Sequence, residues 1–285
     1  DNFLTHPFNL RPNTKEWDLL AKQFEDAYAM KDQLSHVSPR TQNRNLPYTP
    51  VPPADVLKNE PDTDFDLPQN QEWVRSIFSK WKKDGTEQPE IIPLQIGAET
   101  VVCESRYPYT DRCQDDEVCI CEMSQADSAQ VEKIIEIAEA DPAGWRKTTL
   151  EERHRIMYEA ANRLADMRGD LIGCMCAVTG KTVIEGDVEV SEAVDYARFY
   201  TTAMKKFAAL DDVEMKPKGT ILVISPWNFP CAIPVGGIVA GLAGGNTVIL
   251  KPATVAAPVA WMFAKAFWDA GVPKEALQVI ITRRE

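Results

Sequence analysis

The 285-residue chain lacks both glycine signatures by which phosphates of nucleotides are most often held. No G-x-x-x-x-G-K-[ST] occurs, which excludes a P-loop. Gly236-Gly237-Ile238-Val239-Ala240-Gly241 has the wrong spacing for G-x-G-x-x-G. Histidine is scarce, with only His6, His36 and His154, and the seven cysteines contain no C-x-x-C pair. No metal site is therefore expected, and the cysteines are too few and too irregular for a disulfide framework. Cys119 and Cys121 alternate with Val118 and Ile120, while Cys174 and Cys176 fall in a helical pattern. Both pairs read as buried thiols in a reducing cytoplasm. Basic residues are outnumbered, 31 against 43 acidic, for a net charge of −12. That balance excludes the basic stripe of a nucleic-acid binder. No signal peptide is visible at Asp1-Asn2-Phe3-Leu4, and the missing initiator methionine leads us to expect a fragment or a processed chain.

What the chain does have is one long uncharged stretch, Gly219 to Leu250. Its length would span a bilayer, but Pro226, Pro230 and Pro234 interrupt it, and Asn228 and Asn246 would lie in lipid. The pattern instead changes from strand to helix to strand. Thr220-Ile221-Leu222-Val223-Ile224 is a continuous apolar run, as in a parallel strand covered on both faces. A Gly- and Ala-rich helix follows over Ala232 to Leu242, then a strand over Thr247 to Leu250. A second helix is expected over Val255 to Ala270, stopped by Gly271-Val272-Pro273, and a third strand over Leu277 to Ile281. Strands joined by helical crossovers make half of a doubly wound sheet.

Upstream the pattern differs. Thr14 to Lys31 predicts an amphipathic helix with Trp17, Leu20, Phe24 and Ala27/Tyr28 on one face. Ser38 to Pro68 carries seven prolines and reads as an extended connector, followed by a helix over Gln69 to Lys82. The lysines at 80, 82 and 83 read as a solvated face. From Ile91 the chain becomes compact, with short strands at Ile91–Gly97 and Glu117–Met123. Helices are expected at Ser128–Ala140, Leu150–Met167, Ile172–Thr179 and Val188–Phe207. The composition change places a boundary at residues 88/89.

Chemistry concentrates at the turn after the first core strand, Ser225-Pro226-Trp227-Asn228-Phe229-Pro230. Ligands bind at that carboxyl edge in open parallel sheets. Asn228, held between two prolines, is placed either to donate a hydrogen bond to a developing oxyanion or to cap the helix that follows. Lys251, just after the second strand and before Pro252, either reaches a ribose or phosphate or is a surface charge ending a strand.

With these residues in view, Gly219 to Ile281 resembles the first half of the cofactor-binding domain of the aldehyde dehydrogenase superfamily. The matching residues are Pro226-Trp227-Asn228-Phe229-Pro230, Gly245-Asn246-Thr247-Val248-Ile249-Leu250-Lys251-Pro252 and Gly271-Val272-Pro273. Trp145-Arg146 with Glu151-Glu152-Arg153, and Thr179-Gly180-Lys181, resemble its upstream segments, so the likeness runs from near Ile91 to Ile281. That family binds NAD without the usual glycine fingerprint, which accounts for the missing motif. Farther upstream, Arg40-Thr41-Gln42-Asn43-Arg44 and Asn59-Glu60-Pro61-Asp62-Thr63-Asp64-Phe65, with Asn70 and Trp73, resemble the connector of bifunctional proline-utilization enzymes. In those enzymes a flavin-dependent proline dehydrogenase precedes an L-glutamate γ-semialdehyde dehydrogenase.

The resemblance implies an α/β fold of the aldehyde dehydrogenase type. Residues 1–88 would be a helical and extended connector, and residues 89–285 an incomplete NAD-binding domain with a partial, Rossmann-like doubly wound sheet. It implies oxidation of L-glutamate γ-semialdehyde (1-pyrroline-5-carboxylate) to glutamate. Asn228 would serve the oxyanion; Ile224, Ser225, Pro226, Trp227 and Thr254 would line the cofactor groove, and Lys251 would bond the adenosine ribose. Phe229 would pack along the substrate chain, and Glu192, in Glu192-Ala193-Val194-Asp195-Tyr196, would approach its amino end. Many NAD-dependent members carry glutamate where this chain has Thr254, so NADP stays open beside NAD. None of the seven cysteines matches the family's nucleophile, and Cys231 sits where the family has an apolar residue; the chain is expected to stop short of that cysteine and of the base. FAD would belong only to a proline dehydrogenase module fused ahead of this chain. A homo-oligomer is implied as well. The alternatives are another aldehyde substrate, such as succinate semialdehyde, or a non-catalytic interaction protein.

Overall fold

The computed structural model describes residues 11–35, 37, 39–82, 88–111 and 118–282. The chain divides into two compact units, Asp1–Thr41 and Gln42–Glu285. The units part between Thr41 and Gln42, upstream of the 88/89 join expected from composition. In the first unit, α1 (Lys15–Ala29) is capped by Thr14, whose hydroxyl accepts from the Trp17 amide. No residue of α1 is buried, so its apolar stripe of Trp17, Leu20, Phe24 and Tyr28 covers no core.

The second unit begins with a strap, residues 42–67, and α2 (Pro68–Trp81), with proline in the first turn where no amide partner is lost. The strap is tied down by side chains rather than by a sheet. Asp187 accepts from the Thr63 amide at 2.6 Å, and Asp195 accepts from the Glu60 amide and from Asn59 Nδ2, both at 2.7 Å. Beneath it, the Glu60 carboxylate meets Arg198 at 3.1 Å and Arg168 at 3.5 Å, and Arg168 pairs with Asp187 at 2.8 Å. All four of these charged side chains are buried. Lys80 and Lys82 are exposed, as expected of a solvated face, with Lys80 also pairing with Asp170 at 2.5 Å; residue 83 lies outside the described residues.

The strand expected over Ile91–Gly97 is two strands, β1 (Glu90–Ile92) and β2 (Leu94–Ile96), and they join different sheets. Pro93 between them has no amide to give a ladder, which ends one pairing and frees the chain to start another. β3 (Glu99–Val101) returns against β2 through a turn at Gly97 (φ 56°), and β4 (Arg106–Thr110) pairs antiparallel with β5 (Cys119–Ser124). The sequence reading had neither β3 nor β4, since each is short and mixed in polarity.

Helices α3 (Ser128–Ala140), α4 (Leu150–Asp166) and α5 (Arg168–Thr179) lie where expected, α5 one turn longer at its start. α6 (Val183–Ala208) also starts earlier, because Thr182 and Glu185 form a capping box. Then β6 (Thr220–Ile224), α7 (Ala232–Ala243), β7 (Thr247–Lys251), α8 (Ala257–Asp269) and β8 (Leu277–Val279) follow in the anticipated order. Gly271 (φ 112°) ends α8, with the Val272 amide reaching Phe267 O and the Gly271 amide Trp268 O, a Schellman cap.

The larger sheet runs β3-β2-β8-β7-β6, with β6, β7 and β8 parallel. Successive strand residues face opposite sides, and β7 shows both covered. Val248 meets α7, where a Cβ on Gly241 would stand 2.7 Å from its Cγ2. Thr247 donates to Ala138 O of α3 at 2.8 Å. β6 differs from the expectation of a strand covered on both faces: it is the edge strand of the sheet, and Leu222 and Ile224 are exposed on its uncovered face. Trp145, Arg146 and Arg153 serve helix ends: they donate to Leu242 O, to Ala138 O and Glu139 O, and to Ala243 O, carbonyls that α7 and α3 leave without helical partners.

Candidate active site

The parallel register Ile224↔Lys251 brings the carboxyl ends of β6 and β7 together, and the Ser225 amide closes the pair by donating to Lys251 O at 3.4 Å. Beyond that point the chain leaves the sheet. Trp227 is 59% exposed, Phe229 40% exposed, and Asn228 between them is exposed. Trp227 and Thr254 line one groove of about 580 Å³ with Tyr109, Val178, Thr179, Ala253 and Val255. Tyr109 steadies its wall by donating to Val178 O at 2.5 Å.

Three polar groups stand at this edge. The Ser225 hydroxyl is buried and has no hydrogen-bond partner among the described residues. Lys251 Nζ makes one long contact, 3.5 Å to Pro252 O, and no carboxylate among the described residues pairs with it. Thr254 opens the short 3-10 turn before α8. An orphaned buried hydroxyl, an unpaired ammonium and a threonine beside an indole are a donor set for ribose hydroxyls and a stacked ring.

α7 begins at this turn, yet its first amides are already taken. The buried Glu189 carboxylate on α6 accepts from the Cys231 amide at 2.7 Å and from the Ala232 amide at 3.0 Å. A helix start is the usual seat of a pyrophosphate. Here a side-chain anion occupies it, which gives a physical reason for the absent glycine fingerprint. Lys181 completes the arrangement: its Nζ donates to Asn228 O at 2.6 Å, pairs with Glu189 at 2.5 Å and lies 4.2 Å from the Phe229 ring centroid. The sequence reading noted Thr179-Gly180-Lys181 as a segment only; it assigned no role to Lys181 and did not single out Glu189.

Cys231 is fully buried, and burial, with Glu189 beside it, pushes its thiol well above the ordinary range. Its sulfur is closed to solvent and its protonated form is favoured, the environment of a packed thiol rather than of an activated one. Burial likewise raises Cys174, and Cys121 to about 12. Glu192 does not line the groove with Trp227 and Thr254. It accepts from Tyr196 OH at 2.8 Å, a bond that raises the Tyr196 phenol to about 12. Among the described residues no three His, Cys, Asp or Glu side chains converge on a metal-sized site.

The model of the aldehyde dehydrogenase family matches residues 103–285. The chain belongs to the aldehyde dehydrogenase family. A 1-pyrroline-5-carboxylate dehydrogenase of Geobacillus sp. (strain WCH70) is 34% identical over 233 residues, which are 78% of this chain and 44% of that relative. The chain thus spans less than half the length of the curated relatives it matches. A solved 1-pyrroline-5-carboxylate dehydrogenase from Thermus with bound NAD shares 27% identity over 80% of this chain and 46% of its own, at a TM-score of 0.73. Proline utilization A from Bdellovibrio bacteriovorus aligns with 96% of this chain and 29% of its own at a TM-score of 0.75; its 23% identity is a likeness of fold alone. No helix among the described residues is long and apolar enough to cross a membrane.

Proposed function

We propose that a protein carrying this chain, extended to the length of its curated relatives, oxidises L-glutamate γ-semialdehyde to glutamate with NAD. The observation that carries the reading is the exposed Asn228 in the turn after β6, next in the chain to Trp227, which lines a groove with Thr254, while Ser225 and Lys251 stand at the paired ends of β6 and β7. The sequence likeness to 1-pyrroline-5-carboxylate dehydrogenases supports the choice of substrate.

In this reading the Asn228 amide donates to the carbonyl oxygen as negative charge develops on it. The nucleophilic cysteine and the base come from the length of the relatives that this chain does not span. Trp227 and Ile224 flank the cofactor, Lys251 and Thr254 meet its adenosine ribose, and Ser225 gives its free hydroxyl to the same ligand. NAD, when bound, supplies the hydride acceptor. Phe229 lies along the aliphatic part of the substrate, and Glu192 approaches its amino end. Assembly into a homo-oligomer, a cytoplasmic location and a fused flavin-dependent proline dehydrogenase belong to the same proposal.

Asn228→Ala in the protein from the complete coding region tests the reading. Removing one preorganised donor costs about 3 kcal/mol of transition-state stabilisation, so kcat should fall about 10²–10³-fold. The Kd for NAD should stay within error. An unchanged kcat would remove the oxyanion role.

A further inference from the structure

We propose that Lys181 and Glu189 are positioning residues that hold the Asn228 turn in its working geometry, one at the Asn228 carbonyl and the other at the helix start that follows the turn. The inference rests on the reading of Asn228 as the oxyanion donor.

The turn has little to hold itself. Among the described residues no backbone–backbone hydrogen bond forms within residues 226–230; the neighbouring ones are Ser225 to Lys251 and Val235 to Cys231. Prolines at 226 and 230 fix two φ angles but remove two amide donors. Asn228 is therefore presented by a segment whose backbone needs partners from elsewhere in the chain.

Both partners come from the joint between α5 and α6. Gly180 (φ 69°) ends α5 with its amide on Cys176 O at 3.0 Å, and the Thr182–Glu185 box starts α6. Lys181 is the single residue between these two caps, so its backbone is set from each side. Its ammonium takes the Asn228 carbonyl and rides over Phe229, while Glu189, less than two turns into α6, takes the amides of Cys231 and Ala232. The 2.5 Å ion pair joins the two grips. The Lys181 side chain is 11% exposed and that of Glu189 1%, so water competes little for either bond. Buried charges so paired are stiff, because parting them leaves each uncompensated.

A shift of about 1 Å in a catalytic donor can cost about 10²-fold in rate. Releasing the clamp should therefore act on turnover and leave cofactor affinity alone. The test uses the protein from its complete coding region. Amide hydrogen exchange over residues 226–236 and kcat with KM for NAD are measured in Lys181→Met, Lys181→Arg and the double variant Lys181→Met/Glu189→Gln. The double variant leaves no unpaired buried charge, so it keeps the fold if Lys181→Met alone does not. The expected result is faster exchange at the Cys231 and Ala232 amides, a kcat about 10–100-fold lower with KM for NAD unmoved, and partial recovery in Lys181→Arg. Unchanged exchange in the variants would overturn the clamp. Faster exchange with unchanged kcat would overturn its role in positioning. A null effect of Asn228→Ala, with exchange still accelerated in the clamp variants, would instead sink the oxyanion reading on which the inference rests.

Discussion

At position 254 a threonine, not a glutamate, lines the groove with Trp227. A carboxylate there would accept from ribose hydroxyls and repel a 2′-phosphate; threonine does neither strongly. Thr254→Glu should therefore lower affinity for NADP relative to NAD by about tenfold, equivalent to about 1.4 kcal/mol of like-charge repulsion. The ratio of the two Kd values checks it, and an unmoved ratio would place the adenosine ribose elsewhere. The positions of Ser225 and Lys251 at strand ends, and of Asn228 in the turn beyond, were legible from the apolar runs that precede them, while their roles belong to the proposal. Lys181 and Glu189 were not, since their contacts reach 47 and 42 residues along the chain and no spacing signals them.

Among elements, the parallel core from β6 to β8 was readable because β6 and β7 each carry a run of apolar residues and a glycine follows each of its helices. The β1/β2 break falls at Pro93, a residue without an amide for the ladder. The strap gave the least away. Its prolines marked an extended segment, yet its role as a buried ion clamp depends on Arg168, Asp187 and Arg198, all more than 100 residues downstream of Glu60. Arg44 joins them at 4.0 Å from Glu60. Glu60→Ala would leave the buried Arg198 guanidinium without its carboxylate and Arg168 with Asp187 alone; stranding one buried charge typically costs about 3–5 kcal/mol. Urea unfolding should show that loss as a lower midpoint with an unchanged slope. A loss below about 1 kcal/mol would mean the pairs behave as exposed ones do.

For the whole molecule, the sheet order and the family membership agree with the fold class read from the sequence, including the absent glycine fingerprint. What composition could not show was where the compact units part. Polar, proline-rich residues 42–67 look like a linker by type, but they are folded onto α6 by Asp187 and Asp195. The acidic surface of this chain offers no general attraction for an anionic dinucleotide, so local donors at the β6–β7 edge must supply it.

The most direct measurement is NADH formation by the protein from its complete coding region, with L-glutamate γ-semialdehyde and with succinate semialdehyde at matched concentrations. The account predicts kcat/KM higher for L-glutamate γ-semialdehyde by about tenfold or more, as for a site that binds a polar substituent its competitor lacks. Equal or better oxidation of succinate semialdehyde, or no NADH from either aldehyde, would contradict it.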